Sequence, residues 1–192
     1  MRIISGTAKG RKLKQFKGQR IRPTGDRVRE AVFSSLQSRF GTFEGLKILD
    51  LFAGTGALGI EALSRGAAKA VLVDQSPQAA DIIADNIRSC GMAERADFFR
   101  ASADKIFDRL VRYAPFDIIF LDPPYNQGLI GPALRGIIKN SLLSEKGVVC
   151  VESARDEQVP VDVLEVVTMN RKEYGATVVT FLSLSIPEAT SR

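Results

Sequence analysis

From Lys47 onward the apolar positions sort the chain into short strands separated by stretches of helical spacing. KILDLF (47–52), AVLVD (70–74), ADFFRA (96–101), FDIIFLD (116–122) and GVVCVES (147–153) are nearly all apolar. That is the pattern of parallel strands covered on both faces. Between them ALGIEALSRG (57–66), PQAADIIADNIRSCG (77–91), ADKIFDRLVRY (103–113) and LIGPALRGIIKNSLL (129–143) predict helices. Gly66 and Gly91 stop the first two, and Pro77 starts the second.

Ahead of this alternation lies RPTGDRVREAVFSSLQSRF (22–40), where Val28, Ala31, Val32, Leu36 and Phe40 share a helical face and Gly41 ends the run. Thr24 and Asp26 are its N-cap candidates. The first twenty residues read as short extended pieces broken by Gly6, Gly10 and Gly18. Behind the fifth strand, Val161 to Ser185 predicts two strands turning around Asn170-Arg171-Lys172, a hairpin that closes the sheet edge. The sum is a Rossmann-like α/β fold of seven strands, mostly parallel, with an antiparallel C-terminal hairpin and helices on both faces.

Composition narrows the chemistry. Hydrophobic residues make up 45% of the 192 and charged residues 26%, a soluble globular profile with a sizeable core. Cys90 and Cys150 sit in apolar segments and read as reduced core thiols. No apolar run suits a membrane span or a signal peptide, so the expected compartment is the cytoplasm. Histidine is absent. That excludes a Ser-His-Asp triad, a Cys-His pair and imidazole metal ligation. Net charge is +5, but its distribution is uneven: Met1 to Arg29 hold ten basic residues against Asp26 alone. A basic segment on a slightly acidic body suggests a polyanionic partner.

Asp50-Leu51-Phe52-Ala53-Gly54-Thr55-Gly56-Ala57-Leu58-Gly59 joins the first strand to the first helix and matches GxGxxG. Small residues there let a ligand approach the backbone at a helix N-terminus. Asp74, ending the second strand, suits a ribose diol. Two cofactor classes fit this much, a dinucleotide and S-adenosylmethionine. Asp50 discriminates between them, because a carboxylate there repels a pyrophosphate and favours an ammonium.

The second motif is Asp122-Pro123-Pro124-Tyr125, at the carboxyl end of the fourth strand. Its prolines remove backbone donors and stiffen the chain, leaving the Asp122 carboxylate and the Pro123 carbonyl as fixed acceptors. Such a cluster suits an amine on a flat heterocycle, with Tyr125 as a stacking face. The tetrad alone fits guanine N2, adenine N6 or a glutamine side-chain amide. A nicotinamide-dependent oxidoreductase on the same fold would leave it unused.

DPPY after the fourth strand, with DLFAGTGALG after the first, resembles the amino-group branch of the class I, Rossmann-like methyltransferases. MRIISGTAKGRKL (1–13) and RPTGDRVREAVFSSL (22–36) resemble bacterial small-subunit ribosomal RNA guanine-N2 methyltransferases of the RsmD type, and the match runs from Met1 through the fifth strand. The resemblance implies S-adenosylmethionine as cofactor, no metal, and methylation of guanine N2 in 16S rRNA, free or in an assembling small subunit. It implies cofactor contacts at Asp50, Gly54, Gly56, Asp74, Gln75, Ala103 and Asp104, and a catalytic cluster of Asp122, Pro123, Pro124 and Tyr125. Thr24 and Arg27 resemble a lid over the site. Residues 1–22 would form an RNA-binding arm using Arg11, Lys12 and Arg22, with residues 23–192 as the methyltransferase domain.

Overall fold

The structure is a computed structural model that describes residues 1–16, 24–160 and 166–185. Arg22 and the side chain of Thr24 lie outside the described residues. Strands β1 (Lys47–Asp50), β2 (Lys69–Asp74), β3 (Ala96–Arg100), β4 (Phe116–Leu121), β5 (Leu143–Ala154), β6 (Val166–Tyr174) and β7 (Thr177–Leu184) form one sheet in the order β3-β2-β1-β4-β5-β7-β6. The first five pair in parallel, while β7 runs antiparallel to both β5 and β6. The order reverses between β1 and β4, the switch point beside which open α/β sheets hold ligands.

Strand residues alternate between two cores, which explains why the strands are apolar throughout. Ile48, Leu72, Ile118, Phe120, Val148 and Cys150 pack on one face, against α1 (Thr24–Phe40), α2 (Ala57–Ser64) and α3 (Pro77–Ser89). Leu49, Val71, Ile119, Leu121, Val149 and Val151 face the other way, against α4 (Phe107–Leu110) and α5 (Ile130–Lys139). As expected, Pro77 opens α3, and the Ser76 side chain caps it by accepting from Ala79 N. Pro132 does not break α5, because it lies in the first turn, where its missing N–H is not needed. Among the described residues no helix is long and apolar enough to cross a membrane.

Three segments depart from their sequence reading. Ala103 to Tyr113 is not one helix but a 3-10 turn (Ala103–Lys105) followed by the single turn of α4. Ser102 and Asp104 spend their side chains on each other instead of capping a longer helix. The helical run expected to Leu143 stops at Lys139, where Asn140 bonds back to Gly136 O and Ser141 turns left-handed, so that β5 begins at Leu143. The hairpin turn is Gly175-Ala176, not Asn170–Lys172, which sits within β6. A two-residue turn needs positive φ at its first position; Gly175, at 66°, supplies it without a Cβ penalty.

The N-terminal segment is fastened to the body. Ile3, Ala8 and Leu13 are buried in the core under α1–α3. Three buried polar residues receive its backbone. Glu61 accepts from Ile4 N and Ser5 N at 2.7 and 3.0 Å, Ser64 Oγ accepts from Ala8 N at 2.9 Å, and Asn86 Oδ1 accepts from Lys14 N at 2.7 Å. A Cβ at Gly6 would lie 1.7 Å from Ser64 O, so only glycine permits this approach. Arg29, counted above with the basic segment, is 4% exposed; it pairs with Asp26 at 3.1 Å and also donates to Arg2 O. Its charge is therefore structural, not a surface contact for a polyanion.

Candidate active site

A cavity of about 1030 Å³ opens along the carboxyl ends of β1, β2, β4 and β5. That is at the upper end of the roughly 300–1000 Å³ typical of ligand pockets, room enough for a large ligand. Met1, Phe16 and Arg29 contribute to one wall, so the N-terminal segment and α1 help to enclose it. The cofactor-type motif and the DPPY motif both line this space, and the sheet order β2-β1-β4 sets Asp74 and Asp122 to either side of β1.

At one end, the backbone after β1 is held by carboxylates. Asp74 Oδ2 accepts from Gly54 N and Oδ1 from Ser76 N, both at 2.8 Å. The end of β2 thus sets the shape of the turn as well as lining the cavity. Gly54 takes φ 56°, and a Cβ there would meet nothing within 4 Å. The space in front of it is open to a ligand. Gly56 differs: a Cβ would press on Leu72 and Ile60 at 3.1 and 3.2 Å, so this glycine serves helix–strand packing. Asn86 Nδ2 donates to both Thr55 O (2.9 Å) and Lys14 O (3.1 Å), tying the turn to the N-terminal segment.

Asp50 lies behind this turn rather than on the cavity wall, and is 1% exposed. Its Oδ2 accepts from Gly59 N at 3.0 Å, while the buried Oδ1 has no partner. Burial pushes this carboxyl up to about 7, opposed by the Gly59 bond and reinforced by the charge of Asp74. An unpartnered buried carboxyl oxygen beneath an open glycine turn is stabilised in its charged form by a nearby cation. That chemistry fits an amino-acid ammonium and disfavours a phosphate. Gln75, Ala103 and Asp104 line the same end, Gln75 and Asp104 being exposed.

At the other end stand Asp122, Pro123, Pro124 and Tyr125, all on the wall. Tyr125 Oη donates to Glu152 Oε1 at 2.6 Å and lies 3.1 Å from Thr177 Oγ1. With its hydrogen committed to Glu152, the phenol oxygen accepts from the threonine. Burial and then Glu152 hold the Tyr125 hydroxyl well above its ordinary value, so it stays protonated. Glu152 and Thr177 escaped the sequence reading. A signal existed for Glu152: like Asp74, it is an acid near the carboxyl end of a parallel strand. Cys150 also reaches the wall, but burial pushes its thiol up, leaving a neutral group unsuited to nucleophilic attack.

Among the described residues, three other expected ones lie off the wall. Arg27, Arg11 and Lys12 are exposed, and Lys12 bridges Arg2 on an outer strand-like pair. Among α1 residues, Gly25, Asp26, Arg29 and Val32 line the cavity instead.

A doubly wound sheet with an antiparallel closing hairpin, carrying an open glycine turn and a DPPY cluster at one cavity, is the architecture of a class I, Rossmann-like methyltransferase. More narrowly, residues 1–183 match the family described as Conserved hypothetical protein 95, and the chain belongs to that family. It is 34% identical to Ribosomal RNA small subunit methyltransferase D of Haemophilus influenzae, over 82% of this chain and 80% of that one. The same-named protein of Escherichia coli is also 34% identical, over 83% and 78%. The solved structure of Escherichia coli yhhF matches with a TM-score of 0.79 at 32% identity, covering 96% of this chain and 97% of that one. The resemblance read from the two N-terminal motifs is thereby borne out, as is the seven-stranded fold.

Proposed function

We propose that the protein transfers the methyl group of S-adenosylmethionine to the exocyclic N2 amine of one guanine in small-subunit, 16S rRNA. The observation that carries this reading is the shared cavity, lined by the DPPY cluster at one end and by an open glycine turn over a buried carboxyl at the other. The relatives' action on small-subunit rRNA supports the choice of substrate.

The sulfonium of the cofactor supplies an already activated methyl group, so the chain's work is alignment and desolvation. Asp74 receives the ribose hydroxyls while its oxygens hold the turn. Gly54 lets the amino-acid part approach, and Asp50 balances its ammonium from behind. Gln75, Ala103 and Asp104 border the adenine, and Gly56 keeps α2 packed so that the turn holds its shape. Asp122 and the Pro123 carbonyl accept the two amine hydrogens, which frees the nitrogen lone pair from ring conjugation. Pro124 keeps the cluster rigid, and Tyr125 stacks on the base. No histidine is required, because no strong base is.

Residues 1–22 act as the RNA-gripping arm of the 23–192 catalytic domain, with Arg11, Lys12 and Arg22 on phosphates and Thr24 and Arg27 near the mouth. Such contacts are salt-sensitive and largely sequence-blind. An rRNA substrate sets the reaction in the cytoplasm. The test is mass spectrometry of nucleosides from small-subunit rRNA of cells with and without the protein. Loss of N2-methylguanosine at one site is expected. An unchanged N2-methylguanosine content, or loss of N6-methyladenosine instead, would refute the assignment.

A further inference from the structure

Beside the DPPY cluster stands a second acidic side chain that amine activation does not require. Strands β4 and β5 run parallel with Phe120 opposite Cys150 and Leu121 opposite Val151. The next residue in each chain segment is an acid, Asp122 just past the end of β4 and Glu152 within β5, and both line the cavity. Phe120 and Cys150 belong to the core on the α1 face, and Leu121 and Val151 to the opposite one; the two-residue repeat returns Asp122 and Glu152 to the α1 side. Tyr125 reaches across from the DPPY turn and donates its hydroxyl to Glu152 Oε1 at 2.6 Å, which fixes how that carboxylate is turned. Thr177, from β7, backs the phenol at 3.1 Å.

We infer that Glu152 accepts the N1–H of the target guanine and is thereby the residue that selects guanine among amine-bearing bases. The inference rests on the reading of the site as a base-amine methyltransferase and names what that site recognises. The chemistry is a comparison of edges. An amine held at Asp122 carries a neighbouring ring atom toward the adjacent strand. In guanine the 2-amino group lies between N1–H, a donor, and N3, an acceptor, and on this inference the base enters with its N1–H side toward Glu152. In adenine the neighbour of the 6-amino group is N1, an acceptor; in cytosine it is N3, also an acceptor; in a glutamine amide it is the carbonyl oxygen. An acceptor placed beside an amine acceptor therefore complements guanine and opposes the other three. A carboxylate has about four lone-pair positions, so one group can serve the phenol and a base edge together. Sites built around a buried hydrogen bond reject analogues lacking it far more strongly than apolar pockets reject a change of shape.

A purely positioning role, in which Glu152 only holds Tyr125, makes a different forecast, and 2-aminopurine separates the two. That base keeps the 2-amino group but has an acceptor at N1. The substrates are small-subunit rRNA isolated from cells lacking the protein and the same RNA ligated with 2-aminopurine at the methylated position. That position is first located by nucleoside mass spectrometry. The wild-type protein is expected to favour guanine by about 100-fold or more in kcat/KM. In Glu152→Gln the carboxamide can donate to N1, so the preference should shrink at least about tenfold. Tyr125→Phe removes the phenol bond but keeps the carboxylate, and should retain the preference within about threefold while losing rate on both RNAs. Equal losses on both RNAs in Glu152→Gln, with the preference intact, would overturn the inference. So would a wild-type protein that uses 2-aminopurine as well as guanine, a result that does not depend on any variant folding. Failure of the underlying reading looks different: the mapping step would return N6-methyladenosine or no methylated nucleoside.

Discussion

The two ends of the cavity are built by different means. At the glycine-turn end, carboxylates hold backbone: Asp74 accepts from Gly54 N and Ser76 N, and Asp50 accepts from Gly59 N nine positions on. The carboxylates there are engaged by backbone N–H groups before any ligand arrives. At the DPPY end the support is side chain to side chain, with Tyr125 held by Glu152 from β5 and Thr177 from β7. One end is a preshaped cradle; the other is a set of acceptors braced by the far edge of the sheet. Binding of the cofactor and reaction at the base should therefore be separable by mutation.

The sharpest way to break that separation is Asp122→Ala. Removing an oriented acceptor that acts on the reacting amine should lower kcat by about 10²- to 10³-fold, measured as incorporation of labelled methyl into small-subunit rRNA. Asp74→Ala should do the converse. It removes two bonds to a charged acceptor, each worth roughly 1.5–3 kcal/mol, and should weaken cofactor binding by about 10- to 100-fold while leaving saturated turnover within a few-fold.

Asp50 offers a pH-dependent version of the same contrast. Its folded value, about 7, lies above the ordinary carboxylate value of 3.8, so the folded state binds the proton more tightly than the unfolded chain. The contribution of this group to stability is then fullest below the unfolded value and is lost as pH rises toward 7. Thermal melts of the ligand-free protein should show Asp50→Asn gaining on wild type between pH 5 and 8, by on the order of 1 kcal/mol or more. Cofactor affinity should change oppositely, tightening in the wild type as pH rises through about 7 and remaining flat in the variant. The smallest expected effect lies outside both ends. Arg11→Gln with Lys12→Gln should cost several-fold in RNA affinity at low salt and make the salt dependence shallower by about one to two in slope, with cofactor affinity unchanged.

The same contrast explains what could be read from the chain. The cradle was legible because its parts are local: strand, glycines, helix and strand-terminal acid follow one another in order, and each has a turn or capping signature. DPPY was legible for the same reason. Glu152 and Thr177 gain their meaning only from the pairing of β5 with β4 and β7, which no local pattern encodes. At Gly56 the structure adds a packing reason for glycine, since a Cβ there would press on Leu72 and Ile60, which the motif alone does not reveal. The basic N-terminal segment misled in one respect. Charge counting cannot separate Arg29, buried against Asp26, from Arg11 and Lys12, which are exposed. The hairpin turn was displaced because Asn170-Arg171-Lys172 is polar, whereas the backbone demanded positive φ at Gly175.

Separability of the two ends is tested most directly by calorimetric titration of S-adenosylhomocysteine into the Asp122→Ala protein. An affinity within about twofold of wild type, from a protein whose turnover on rRNA has fallen by about 10²- to 10³-fold, is the expected result. Weakening of more than about tenfold would contradict it and would make the DPPY cluster part of the cofactor cradle.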